Sequence, residues 1–275
     1  MSVSFPAAEG ARPPAATAGT AVPMQLAPAR GSRVLVAGGC GGIGRVLVHA
    51  LLEAGVEVAV FDMAASAGKH PPPSGVPLFT LDASVSEEVD GAFTRLDAHW
   101  PAGLHGFVNL VGFAAERTPI ADLAVSEWAR VVEGNLGSSY LLNRGAVPRL
   151  HRAGGGTVVN VASGLATRVL PGFGPYSASK AALIALTKAV AVENAPAIRA
   201  NVVAPAAIET EFLMGGTGRE QTGSHLDREP YLRTIPMRRL GVPTDVVGPI
   251  LFLLGPASAY MTGQTLYING GGLTP

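Results

Sequence analysis

The chain has 275 residues, and its 20 basic and 20 acidic side chains leave a formal net charge of zero. With 48% hydrophobic and only 15% charged residues, it is too apolar for a disordered chain, and it lacks the basic excess of a nucleic-acid-binding protein. Its single cysteine, Cys40, excludes a disulfide-stabilised scaffold and favours a reducing, cytoplasmic location.

Residues 1–30 differ in composition from everything that follows. They contain five prolines and nine alanines and show neither a helical nor a strand period. We interpret them as a mobile tail in front of a single domain that spans residues 31–275, with a targeting role as the alternative. The longest charge-free apolar stretch, residues 246–257, is interrupted by glycines and prolines, so we expect no membrane span.

Short apolar segments alternate with helical patterns from residue 33 onwards. The predicted strands are residues 33–37, 56–61, 78–81, 104–111, 157–162, 198–203 and 264–268. The first predicted helix runs from the glycine cluster to residue 54. The second spans 84–99 and begins with a capping box formed by Ser84 and Glu87, and the others span 126–150, 176–194 and 244–254. This alternation predicts an α/β fold, a three-layer, doubly wound, mostly parallel seven-stranded sheet of the Rossmann type.

A glycine-rich loop follows the first strand and leads into a helix. Its useful spacing is Gly38, Gly42 and Gly44, which lets a diphosphate approach the backbone and the positive end of the helix. Asp62 ends the second strand, where an acidic residue accepts hydrogen bonds from the adenosine ribose and repels a 2′-phosphate. The loop therefore predicts a dinucleotide site, with NAD favoured over NADP.

Tyr176 and Lys180 lie one helical turn apart at the start of a long helix. A nearby ammonium favours the phenolate, and a shift of three pKa units needs about 4 kcal/mol of differential interaction. We expect Lys180 and a positively charged nicotinamide ring together to supply it, so that Tyr176 exchanges protons near neutral pH. Ser163, at the end of the fifth strand, can orient a substrate oxygen, and Asn135 is an unfavourable residue in mid-helix, as residues at functional sites often are.

Together these motifs resemble the short-chain dehydrogenase/reductase family over nearly all of residues 33–272. The resemblance implies a catalytic tetrad of Asn135, Ser163, Tyr176 and Lys180, in which Asn135 holds a water linked to Lys180. It also implies a nicotinamide cofactor. The cofactor-binding residues expected from the loop, from Asp62 and from the resemblance are Gly38, Cys40, Gly41, Gly42, Ile43, Gly44, Asp62, Asp82, Ala83, Asn109, Val111, Gly112, Tyr176, Lys180, Pro205, Ile208 and Thr210.

A long connection at about residues 206–237 is predicted to be a substrate lid, hinged at Gly215, Gly216 and Gly218. Its apolar side chains suggest a small-molecule substrate with an apolar body and one reacting oxygen. The predicted substrate pocket comprises Phe113, Ser163, Leu165, Leu170, Phe212 and Leu213. The six histidines show no metal-ligand spacing, and we expect no metal.

These observations predict an NAD(H)-dependent oxidoreductase that acts on a secondary alcohol or its ketone. One alternative is an NADP(H)-linked ketone reductase of the 3-oxoacyl type. The other is a catalytically silent, nucleotide-sensing binding protein with the same fold. The resemblance further implies a homotetramer or homodimer, and neither a nucleic acid nor a membrane is an expected partner.

Overall fold

Seven strands form one sheet in the computed structural model, which describes residues 25–220 and 226–273. They are β1 (Arg33–Ala37), β2 (Glu57–Asp62), β3 (Leu78–Thr80), β4 (Gly106–Asn109), β5 (Gly156–Val161), β6 (Ile198–Pro205) and β7 (Thr265–Ile268). Every pairing is parallel, in the order β3-β2-β1-β4-β5-β6-β7, which confirms the predicted fold class.

Helices cover both faces of this sheet. They are α1 (Gly42–Glu53), α2 (Ala64–Lys69), α3 (Ser86–His99), α4 (Val125–Val132), α5 (Ser138–Arg152), α6 (Gly174–Asn194), α7 (Arg228–Thr234) and α8 (Pro243–Leu254). One apolar core joins the sheet to α3, α5 and α6, and the other joins it to α1 and α8. The five inner strands are buried on both faces, which explains their continuous apolar sequences, whereas the edge strands β3 and β7 are only partly buried.

Three local features differ from the sequence prediction. The capping box is wrong, because α3 begins at Ser86 and the Ser84 hydroxyl instead donates to Asp82 Oδ1 at 2.7 Å. The predicted helix at 126–150 is present as α4 and α5, but a five-residue π-helical turn, Glu133–Gly137, separates them. Helices α2 and α7 were not predicted.

Residues 25–30 contain no helix or strand, yet Pro28 is buried against the domain. The remainder of the predicted tail lies outside the described residues, as do residues 221–225 of the predicted lid and residues 274–275. The single-domain boundary at residue 31 therefore stays a prediction. Within the described ranges, no helix is both long and apolar enough to cross a membrane.

Strands β2 and β3 are added on one side of β1, and β4 to β7 are added on the other side. This change of direction between β1 and β4 determines where the site lies. In the register of the sheet, Ala37 of β1 lies beside Phe61 of β2 and Asn109 of β4, and Asn109 lies beside Asn160 of β5. The chain therefore leaves four neighbouring strands at the same edge of the sheet. Ligands in open parallel sheets bind in the crevice at such a switch point.

Candidate active site

A single cavity of about 830 Å³ opens at this carboxyl edge of the sheet. Its lining includes the glycine loop, Asp62, Ser163, Tyr176 and Lys180. The volume lies in the upper part of the range, roughly 300–1,000 Å³, that is usual for small-molecule and cofactor sites. One space therefore joins the predicted nucleotide loop to the predicted proton donor.

The glycine loop turns sharply between β1 and α1. Gly38 has φ +82°, a left-handed conformation that glycine adopts without strain. A Cβ on Gly44 would collide with the carbonyl oxygen of Gly38, and a Cβ on Gly42 would lie 2.5 Å from Cγ2 of Thr210. The first turn of α1 thus faces the cavity with its backbone amides, which suits an anionic diphosphate.

Asp62 closes the loop from the end of β2. Its Oδ2 accepts the Cys40 backbone N–H and its Oδ1 accepts the Met63 backbone N–H, both at 2.8 Å. Burial raises the pKa of this carboxyl, although the two backbone hydrogen bonds oppose that rise. Each carboxylate oxygen retains further acceptor capacity toward the cavity. The loop and Asp62 therefore fit the adenosine half of a nicotinamide dinucleotide.

Tyr176 lies in the first turns of α6 and is almost completely buried. Burial raises the pKa of its phenol to about 12, and a hydrogen bond with Ser163 opposes this only in part. Ser163 lies two residues after the end of β5. Its Oγ also accepts the Leu165 backbone N–H at 3.1 Å. In the protein alone the phenol is therefore protonated at neutral pH, and the lowering of its pKa expected from Lys180 together with a nicotinamide ring stays a prediction.

Lys180 is one turn further along α6 and is also buried. Its Nζ donates to the carbonyl oxygens of Val161 at 3.1 Å and Val111 at 3.4 Å, and it lies 5.9 Å from the centroid of the Tyr176 ring. Burial lowers the pKa of this amine to about 8. The amine thus faces the phenol, but it titrates much closer to physiological pH than a free lysine.

Asn135 is fully buried at the π-helical turn and does not line the cavity. Its amide donates to the carbonyl oxygens of Phe113 at 3.0 Å and Val131 at 2.9 Å, and its Oδ1 accepts the Phe113 backbone N–H at 3.2 Å. π-Helical turns are frequent at functional sites. The structure thus makes Asn135 a positioning residue that fixes the backbone at Phe113, next to Lys180.

Most of the predicted site residues line the cavity. Cys40 and Asn109 are exceptions among those predicted to bind the cofactor. The Cys40 side chain is in the apolar core, where burial, followed by the charge of Asp62, raises its pKa to about 12. Asn109 donates to Ser139 Oγ at 2.9 Å and accepts the Val111 backbone N–H at 3.1 Å. Both residues support the loops beneath the cavity, and their contribution to cofactor binding stays a prediction.

The substrate half of the cavity is aromatic and apolar. Phe113, Leu165, Phe173 and Phe212 cluster around Tyr176, with ring centroids 6.4 Å and 6.1 Å from Tyr176 for Phe173 and Phe212. Leu170 and Leu213 also line the cavity. Phe173 was not predicted, because it lies just outside α6 in an irregular segment with no period to reveal which way its ring points.

Four arginines in the cavity wall were also missed: Arg117, Arg130, Arg168 and Arg219. The guanidinium groups of Arg219 and Arg130 lie 3.9 Å and 4.8 Å from the centroid of the Phe113 ring. Arg117 lies 4.8 Å from the centroid of Phe173. The four arginines come from four separate segments of the chain, so no local motif in the sequence could have grouped them.

Residues 210–219, which we call the cover segment, reach across the mouth of the cavity. Glu211 contacts His70 at 2.7 Å and Arg45 at 3.5 Å, and Ser66 Oγ donates to the carbonyl oxygen of Thr217 at 2.9 Å. The segment therefore joins the substrate side to α1 and to the residues around α2. No cluster of three or more metal-ligating side chains is present in the described part of the chain.

Comparisons with known proteins identify the family and support the fold. A family model described as enoyl-(acyl carrier protein) reductase matches residues 38–272. The 4-formylbenzenesulfonate dehydrogenase of Comamonas testosteroni is 34% identical over 86% of this chain and 96% of its own. A 3-oxoacyl-(acyl-carrier-protein) reductase of Chlamydia pneumoniae is 32% identical over 88% of this chain and 96% of its own.

Among solved structures, a short-chain dehydrogenase/reductase from Brucella melitensis, described as a glucose/ribitol dehydrogenase, superposes with a TM-score of 0.80. It is 25% identical and covers 91% of this chain and all of its own length. The chain therefore belongs to the short-chain dehydrogenase/reductase family, whose members are oxidoreductases that use a nicotinamide nucleotide and a small-molecule substrate.

Proposed function

We propose that this protein transfers hydride between NAD(H) and a secondary alcohol or its ketone, with Tyr176 as the general acid and base. The observation that carries the proposal is the convergence of Ser163, Tyr176 and Lys180 in the same cavity as the glycine loop and Asp62. A neighbouring cavity beside Tyr231 and Met237 is much smaller, at about 170 Å³. The apolar rings beside Tyr176 support a substrate with an apolar body.

The substrate oxygen would lie between the hydroxyl groups of Ser163 and Tyr176. When bound, the reduced nicotinamide supplies the hydride for the carbonyl carbon. Tyr176 then gives its proton to the oxygen as negative charge develops there, and Ser163 holds that oxygen in place by hydrogen bonding. Lys180 stabilises the resulting phenolate, because it is the cation that faces the Tyr176 ring.

The raised pKa of Tyr176 favours carbonyl reduction, because the protein alone keeps the phenol protonated and ready to donate. Alcohol oxidation needs the phenolate instead. The positive charge of an oxidised nicotinamide favours that form, and so does the ammonium of Lys180. We therefore expect the redox state of the cofactor to set the protonation of Tyr176 and hence the direction of proton transfer.

The preference for NAD rests on Asp62. Its carboxylate lines the cavity at the end of β2, where it would repel the 2′-phosphate of NADP. Gly41 and Met63, the two neighbouring positions where a basic side chain could offset that repulsion, carry no charge. The ketone-reductase part of the alternative draws support from the similar Chlamydia 3-oxoacyl reductase, whose name describes a ketone substrate.

The test measures the dissociation constants of NADH and NADPH from fluorescence quenching and then turnover on a panel of ketones. Tighter binding of NADH, reversed or abolished in Asp62→Ser, is the expected result. Preferential NADPH binding by the natural protein would contradict the cofactor assignment. Nucleotide binding without turnover of any ketone or aldehyde would favour the silent, nucleotide-sensing protein.

We further propose a homotetramer in the cytoplasm. Tyr140 on α5 and Val192 on α6 are 51% and 64% exposed, which is unusual for large apolar side chains and supports an interface through these two helices. Tyr260, close to the edge strand β7, is fully exposed and supports a second interface. The single cysteine is buried and unpaired, as is usual in a reducing compartment. Light scattering after size exclusion tests the assembly, and a monomer would contradict it.

A further inference from the structure

We propose that Arg219, with Arg130 beside it, binds an oxyanion such as a carboxylate carried by the substrate at the end remote from its reacting oxygen. This inference rests on the proposed function, because it names the substrate class of the same cavity. It adds a charged recognition group to a pocket whose other known lining near Tyr176 is aromatic and apolar.

The two guanidinium groups share one aromatic ring. They lie 3.9 Å and 4.8 Å from the centroid of Phe113, and Phe113 belongs to the cluster that packs around Tyr176. Gly134 allows this arrangement, because a Cβ on it would collide with the Phe113 ring. Both guanidinium groups thus belong to the catalytic half of the cavity wall; Arg219 is partly buried there, and Arg130 lies at its exposed rim.

The charge of Arg219 has no direct acidic partner. Arg130 is paired with Glu127 through contacts of 2.6 Å and 2.8 Å, whereas no acidic residue in residues 25–220 and 226–273 forms an ion pair with Arg219. Burial lowers the pKa of Arg219, the charge of Arg130 lowers it further, and Asp82 opposes both from a distance. A half-buried cation next to a second cation is costly to keep, and a bound anion would relieve that cost.

The chemistry of the pair selects an oxyanion. A guanidinium presents parallel N–H donors that match the two oxygens of a carboxylate, and such charge-assisted hydrogen bonds are stronger than neutral ones. Arg117, 4.8 Å from the centroid of the Phe173 ring, adds a further positive charge to the cavity wall near Tyr176. The acidic groups of the cavity wall are Asp62 and Asp82, at the nucleotide end, and Glu133. The basic character is therefore concentrated where the substrate would bind.

A phosphate of the cofactor carries the same chemistry, so the experiment separates the two sources. The probes are 4-acetylbenzoate and 4-acetylbenzamide, ketones of nearly equal shape that differ in charge, and the corresponding aliphatic pair, levulinate and levulinamide. Calorimetry in the presence of oxidised cofactor, with which a ketone cannot be reduced, measures binding independently of turnover. Arg219→Gln is compared with Arg233→Gln, which changes an exposed arginine of α7 that does not line the cavity.

We expect at least one anion to bind about 10- to 100-fold more tightly than its amide. Arg219→Gln should abolish this advantage and leave the dissociation constant of the cofactor unchanged, whereas Arg233→Gln should keep both. Equal binding of anion and amide in both pairs would overturn the proposal. Weaker cofactor binding in Arg219→Gln, with anion preference intact, would also overturn it and assign Arg219 to the cofactor phosphates. A retained anion preference without turnover of any ketone would contradict only the proposed function.

Discussion

Gly112 and Lys180 are packed so closely that a Cβ on the glycine would lie 2.9 Å from the lysine Nζ. The same Cβ would lie 2.6 Å from Asn135 Oδ1, and the φ of Gly112, +152°, is one that other residues rarely adopt. The glycine therefore fixes the position of the amine relative to the phenol.

Gly112→Ala should displace Lys180 and lower kcat by about 100-fold, the scale expected when a group in the site moves by about 1 Å. Gly248→Ala is the matched control, because a Cβ there meets nothing within 4 Å. Circular dichroism would verify that both variants fold. Unchanged kcat in folded Gly112→Ala would show that the position of the amine does not limit the reaction.

The reduction reaction should lose rate at alkaline pH. Burial places the pKa of Lys180 at about 8, so the ammonium is present below that pH and is lost above it. Since the ammonium stabilises the phenolate left after proton donation, kcat/KM for ketone reduction should be constant below this pH and fall above it. Lys180→Met should be slow and lack the inflection. A rate that rises through pH 8 would contradict this account.

A substitution in the glycine loop that weakens cofactor binding should be compensated by a second substitution in the cover segment. Gly42→Ala places a Cβ 2.5 Å from Thr210 Cγ2, and overpacking of this kind costs about 1–3 kcal/mol, which corresponds to about 5- to 150-fold in cofactor affinity. Adding Thr210→Gly, which removes both Cγ2 and the Cβ that would lie 2.6 Å away, should restore much of the lost affinity. Thr210→Gly alone supplies the reference affinity for the comparison. Simple additivity of the two changes would refute the contact.

Ion pairs should hold the cover segment over the bound nucleotide. Glu211→Gln removes the contacts with Arg45 and His70, and because partly exposed pairs contribute about 0.2–1 kcal/mol, cofactor release should accelerate by up to about fivefold. Stopped-flow dissociation of NADH measures this rate, and added salt should reduce the difference. Glu209→Gln, which breaks only an exposed pair with Arg228, should release cofactor at the natural rate.

Sequence patterns predicted the features that depend on neighbouring residues. The alternation of strands and helices, the spacing of Gly38, Gly42 and Gly44, and the single turn from Tyr176 to Lys180 are all local. The capping box at Ser84 failed because Asp82, two residues earlier, competes for the hydroxyl. Each of these features is determined by residues that lie close together in the sequence.

The features that were missed depend on tertiary packing. The sequence shows the charged partner of Tyr176 but not the burial that raises the pKa of its phenol to about 12 in the protein alone. Cys40 lies among the loop glycines, but alternate residues of the loop face opposite sides and its side chain enters the core. Arg130 and Arg219 meet on Phe113 only because the cover segment folds back across the cavity.

The proton-transfer role of Tyr176 is tested most directly by Tyr176→Phe, which keeps the ring and removes the hydroxyl. We measure the dissociation constant of NADH and, in single turnovers with a ketone, the rate of NADH oxidation. The account predicts normal NADH binding and a rate lowered by about 10²- to 10⁴-fold, the usual contribution of general acid catalysis. A single-turnover rate equal to that of the natural protein would contradict it, because proton donation would then come from another group.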